Sequence, residues 1–192
     1  MIKPLFLSFV LLFSTLTLDA VPPNPHTFVP NRGIEPSKIM AGNMKANISK
    51  GVRDVIYIWN HTYANPSGQI SDLLVIFKYL SNAPAIPKQM LMNEEFEIYR
   101  VLDTKKMLKA LDRFQEDTNQ AYRALFEYSS LIIGTKQGSM DDSYKKLLKG
   151  MDRMVKSYNH LAQVANKEYG KKVMPYYALD YKKKRKKIWK MW

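Results

Sequence analysis

A chain of 192 residues with no cysteine, carrying 30 Lys and Arg against 17 Asp and Glu, excludes thiol catalysis, cysteine-held metal and a disulfide scaffold. The length suits one domain with a sizeable core, which hydrophobic burial alone must hold together. A formal charge of +13 points to an acidic partner.

Met1-Ile2-Lys3 is a short positive start, and the apolar run from Leu5 to Leu18 is too short to span a bilayer. Leu18-Asp19-Ala20 then offers a small residue for signal peptidase. Residues 1–20 are therefore expected to be a cleaved secretory signal, and the chain to be secreted and extracellular; a retained membrane anchor is the competing reading. Cleavage there leaves the formal charge at +13, because Lys3 and Asp19 cancel. Residues 21–36 hold five prolines without apolar periodicity and predict a flexible, extended leader.

The domain is expected to span 37–170. Met44, Ile48, Val52, Val55, Trp59 and Tyr63 recur at spacings of four and three, the face of an amphipathic helix. Two N-glycosylation sequons, at Asn47 and Asn60, flank that stripe and support the secreted reading. Ile70 to Leu80 is apolar on nearly every side and predicts a buried helix, although Val75-Ile76-Phe77 equally suits a strand. Ser81 to Lys88, with Pro84 and Pro87, reads as a linker. Asn93 reads as a helix cap followed by Glu94, Glu95 and Glu97, carboxylates that the helix dipole favours.

A long helix is predicted from Asp103-Thr104 to about Ile133. Its stripe is out of phase with Val101 and Leu102, which suggests a kink. Ser139 caps the last helix, Asp141 and Asp142 fill its first turn, and a heptad seam runs Tyr144, Leu148, Met151, Val155, Tyr158, Ala162, Ala165, Tyr169. Leu147, Met154 and Leu161 widen that face, as in a bundle helix; Gly170 ends it and Pro175 prevents a restart. The fold class expected is all-α, an antiparallel bundle of about four helices between a flexible N-terminal leader and a basic C-terminal tail.

Signs of catalysis are absent from the sequence. His26, His61 and His160 lack the paired spacings of a bundle metal site, and no phosphate loop, nucleophile elbow or dinucleotide fingerprint occurs. The expectation is a protein that is not an enzyme and needs no metal or cofactor. Its 11 methionines suit an irregular core and, alternatively, an adaptable pocket for a hydrophobic ligand or lipid.

The remaining signal is the tail, 171–192, where Asp180 is the lone acid among the basic residues and +8 of the chain's +13 is concentrated. The candidate polyanion-binding residues are Lys182, Lys183, Lys184, Arg185, Lys186, Lys187 and Lys190, with Trp189 and Trp192 as interfacial aromatics. A nuclear address is the competing reading, but a secreted chain never meets nuclear import, and no nucleic acid partner is expected. Simple solvation leaves the tryptophans unexplained. Near an anionic membrane each cation contributes about 1 kcal/mol, so half of them acting together give roughly millimolar binding. An acidic polysaccharide, with denser charge, is the easier target. Dibasic cleavage near Arg185 to Lys187 would remove the aromatic end. The function expected is a secreted helical binding protein that tethers to acidic extracellular surfaces through this tail. The alternatives are a carrier of a hydrophobic ligand between the helices and a helical signalling ligand for a receptor.

Overall fold

The computed structural model describes residues 35–60, 66–93 and 102–179. The expected signal sequence, the leader as far as Ile34, the acidic turn at Glu94 to Glu97 and the cationic run from Lys182 onward lie outside the described residues. The elements are α1 (Pro36–Asn43), a π-helical segment (Met44–Ser49), α2 (Lys50–Asn60), α3 (Pro66–Asn82), α4 (Ala85–Met92), α5 (Thr104–Ile132) and α6 (Met140–Glu168), with no strand among the described residues. The all-α reading stands, and the strand alternative at Val75-Ile76-Phe77 gives way to the interior of α3.

The first three elements form one continuous rod. Met40, Met44, Ile48 and Val52 are fully buried at three successive spacings of four. In a regular α-helix each step of four overshoots a full turn by about 40°, so such a run drifts off its face. The wider π turn takes up the excess and keeps all four side chains in the core, at the cost of regular hydrogen bonding.

The rod runs antiparallel to α3, with Gly51 against Leu80, and antiparallel to α6, with Trp59 stacked on Tyr144 at 6.2 Å and Ser49 bonded to Tyr158. Helices α5 and α6, each 29 residues long, form a hairpin whose turn carries Gly134 at φ 72°. They approach closely where Gly150 faces Ala121; a Cβ there would lie 3.0 Å from the Ala121 Cα. The result is an up-down-up-down four-helix arrangement with α4 as an extra short helix.

Three local expectations change. The stretch read as a linker holds α4, with Pro84 as its N-cap and Pro87 in its first turn, where the missing N–H has no intrahelical partner to lose. Asn93 is the C-cap of α4. The phase break at Leu102 is a helix start and not a kink: Asp103 caps α5 by accepting from the Lys106 N–H at 3.0 Å, and Leu102 precedes the helix.

The last helix begins as predicted, the Ser139 hydroxyl accepting from the Asp142 N–H. Its buried face is wider than the heptad seam. Leu147, Met154 and Leu161 are fully buried, whereas Tyr144, Leu148 and Tyr169 at the seam positions are half-buried. Small Ser143, Gly150 and Ser157 complete a second stripe against α5, so α6 is covered on two sides. Seven methionines, including Met107, Met151, Met154 and Met174, are buried in the same core, which accords with their reading as irregular filler.

Candidate functional site

The cationic tail grows out of a segment that the sequence pattern did not reveal. After α6 the chain reverses at Gly170, φ 63°, a left-handed cap whose N–H bonds back to the Lys167 carbonyl. Residues 171–179 then return along α6 as an extended strap. Two asparagines on α6, seven residues apart, hold its backbone.

Asn166 Oδ1 accepts from the N–H groups of Val173 and Met174 at 2.7 and 2.8 Å, while its Nδ2 donates to the Met174 carbonyl at 2.9 Å. Asn159 repeats the device one strap step further on: its Oδ1 accepts from the Tyr177 N–H at 2.9 Å and its Nδ2 donates to the Tyr177 carbonyl at 2.7 Å. Each amide thus stands in for a neighbouring strand, satisfying backbone groups that a lone extended segment leaves open.

Side chains finish the attachment. Met174 is fully buried, and the Tyr177 ring stacks on Tyr158 with centroids 5.3 Å apart. The Tyr158 hydroxyl donates to the Pro175 carbonyl at 2.7 Å, so Ser49 Oγ is the donor in the 2.8 Å bond between Ser49 and Tyr158. Rod, last helix and strap are tied through that one phenol. The strap therefore runs antiparallel to α6 from Asn166 to Asn159.

Burial raises the phenol of Tyr158 far above its ordinary value of 10, outweighing the Ser49 hydrogen bond that pulls the other way. Tyr169, whose buried hydroxyl has no partner among the described residues, is raised by burial and by the nearby Glu35 carboxylate. A phenol raised in the folded state stays neutral while the unfolded chain ionises. Its contribution to stability is therefore complete below pH 10 and is lost as pH rises beyond it. Alkaline titration followed at 295 nm should show these two tyrosines ionising together with the loss of helical circular dichroism. Ionisation of every tyrosine near pH 10 in a fully helical protein would contradict the burial.

The solvent face of α6 is cationic. Lys145, Lys149, Arg153, Lys156 and Lys167, with His160, fall within an arc of about 80° over a length of about 33 Å, opposed by Asp142 and Asp152. The outward face of α5 is closer to balance, Lys105, Lys109, Arg113 and Arg123 against Asp112, Glu116 and Glu127. Lys145 pairs with Asp142 at 3.6 Å and Lys156 with Asp152 at 2.7 Å, but both lysines are three-quarters exposed, and such pairs contribute only about 0 to 1 kcal/mol. Lys149 and Lys167 form no ion pair among the described residues.

Of the other candidates, Asn47 sits half-buried in the π segment and accepts from the Tyr79 hydroxyl at 2.6 Å, while Asn60 ends α2. A groove of about 360 Å³ along α5 is lined by Asp112, Gln115, Glu116, Asn119, Gln120 and Arg123, a polar surface unlike the apolar pocket that a carrier of hydrophobic ligands needs. No cluster of three metal-ligating side chains occurs among the described residues, and no described helix is long and apolar enough to cross a membrane. Compared with protein-family models, curated proteins and solved structures, the chain matches none.

Proposed function

We propose that this is a secreted, non-enzymatic helical binding protein that attaches to acidic extracellular surfaces, sulfated polysaccharide ahead of anionic membrane, through Lys182 to Lys187, Lys190, Trp189 and Trp192. The observation that carries this reading is the strap: its backbone is clamped at Val173, Met174 and Tyr177, a few residues before the cationic run begins. A purely solubilising tail has no need of a fixed root. Anchoring the root lowers the ordering cost of engaging a surface, because one end of the binding segment is already positioned. Asn47 and Asn60 are the glycan acceptors in this reading, and the groove on α5, being polar, is not one that supports the carrier alternative.

Heparin chromatography of the full chain tests it. Neutralising Lys182 to Lys187 to Gln should shift elution to markedly lower salt, since each cation that contacts a dense polyanion releases counterions on binding. Undiminished retention of that variant would overturn the proposal.

A further inference from the structure

We infer that the exposed cationic face of α6, from Lys145 to Lys167, is itself a binding site for a linear sulfated polysaccharide, built on the folded bundle and separate from the tail. The choice of a polysaccharide among polyanions rests on the secreted reading above; the site itself is made of described residues alone.

Between the strap and α5, the outward side of α6 is a single stripe whose members follow one another at spacings of four, four, three, four, three and four. Lys145, Lys149, Arg153, Lys156 and Lys167 hold five of its seven places and His160 and Gln163 the other two; all seven are exposed and none is acidic. At 1.5 Å per residue the stripe is about 33 Å long, and its first four cations stand about 4.5 to 6 Å apart along the axis. Contacts fix its borders. Toward α5, Arg153 Nη1 donates to Gln120 Oε1 at 3.1 Å and Lys146 pairs with Glu127 at 3.6 Å. On the other side Asn159 and Asn166 are engaged with the strap, whose residues 171–179 include no carboxylate and add the exposed Lys171 and Lys172 just beyond the helix end. Asp141, Asp142 and Asp152 are the acids of α6 beside the stripe, and of its cations only Lys145 and Lys156 pair with them.

This pattern runs against what helix stability favours. Residues three and four apart are neighbours on a helix surface, and like charges at those spacings destabilise it. Lys145 with Lys149, Lys149 with Arg153 and Arg153 with Lys156 are three such pairs in succession. A face that serves only to be solvated does better with mixed sign, as on α5, where Asp112 and Glu116 sit among Lys109, Arg113 and Arg123. Where a sequence breaks a local rule without a compensating contact inside the fold, the compensation is to be sought in function. A chain of fixed anions laid along the stripe supplies it, because each anion between two cations replaces a repulsion with two attractions.

The side chains also discriminate among polyanions. A bilayer requires apolar groups among the cations, and the stripe has none. Single-stranded nucleic acid requires aromatic platforms for its bases, which the stripe also lacks. Four lysines and one arginine present point charges more than bidentate forks, and that suits sulfates repeated along an extended chain better than the base edges and phosphates that arginine reads.

Full-length variants test the site: Lys145→Gln/Lys149→Gln/Lys156→Gln on the stripe, Lys149→Gln alone, and Lys105→Gln/Lys109→Gln/Arg123→Gln on α5 as a control of equal charge. Each is also made with Lys182 to Lys187 changed to Gln, so that stripe and tail are read separately. Binding to heparin and to a short DNA duplex is measured over a range of NaCl. The triple stripe variant should lose about tenfold in heparin affinity at physiological salt in either background, and its slope of log affinity against log salt should fall by about two. It should melt no lower than wild type, because repulsion along the helix is relieved. Lys149→Gln, which breaks no ion pair, should lose about twofold, and the α5 control should change by less than that. Wild-type heparin binding by the stripe variant overturns the inference, as do equal losses in the stripe and α5 variants, which would mean general charge attraction; either result leaves the tail tether standing. A stripe loss combined with wild-type binding by the tail variant supports the stripe and overturns the tether. Duplex binding tighter than heparin binding, with the same dependence on the stripe, overturns the choice of polysaccharide.

Discussion

Replacing Asn166 with alanine should lower the melting temperature by roughly 5 to 10 °C. The side chain makes three hydrogen bonds to the strap backbone, to the N–H groups of Val173 and Met174 and to the Met174 carbonyl. At about 1 kcal/mol net for each bond, with backbone groups left half-buried and unpaired, the loss comes to about 2 to 3 kcal/mol. For a domain of this size each kcal/mol moves the midpoint by about 2 to 4 °C. Asn166→Asp keeps the acceptor and loses the donor, so its melting point should fall between the two. Trypsin provides an independent readout: Lys171 and Lys172 are exposed, and their peptide bonds should become far more susceptible once the strap lifts. A melting point within about 1 °C of wild type, with unchanged proteolysis, would mean that the asparagine does not hold the strap.

Gly150→Val should be comparably damaging for a different reason. A Cβ at position 150 would meet the Ala121 Cα at 3.0 Å and its Cβ and N at 3.5 Å, so the obstacle is backbone and cannot rotate aside. Valine adds two methyl groups to that contact and must push α5 away from α6 along their longest shared interface. Overpacking of this kind costs about 1 to 3 kcal/mol, with the upper end expected because a whole helix must move. Ala121→Gly in the same chain should recover part of the loss by returning space on the other side of the crossing. Thermal melts of the single and double variants measure this directly. If Gly150→Val melts like wild type, the helices are not in close contact at that level.

How legible this molecule is from its sequence depends on whether a feature has a period. Helix α6 announced itself, because apolar residues at heptad spacing, a Ser139 cap and Gly170 at the end all agree. Helix α4 did not: Pro84 and Pro87 signal a break by composition, yet both sit where a first turn tolerates proline. The π segment was written in the repeated spacing of four from Met40 to Val52, a hint readable once the drift of a regular helix is considered.

The strap was the least legible element. Its backbone is satisfied by Asn159 and Asn166, two polar residues that a helical reading assigns to the solvent side, and only their separation of seven residues marks them as partners of one strand. The sequence placed a boundary at Gly170, whereas packing of Met174 and Tyr177 continues the folded surface to Leu179. The cationic run was visible from composition alone, because charge density needs no three-dimensional partner to be counted.

The bond between Ser49 and Tyr158 also imposes an order in time. Its two ends are 109 residues apart, and synthesis runs from the N-terminus. Until Tyr158 has been made and α6 has docked, the Ser49 hydroxyl has no partner from the last helix, and the triplet Asn47-Ile48-Ser49 is open to any enzyme that acts on nascent chain. Once the hairpin closes, that hydroxyl is buried and engaged. Any modification at Asn47 that requires a free Ser49 hydroxyl would therefore have to precede the docking of α6.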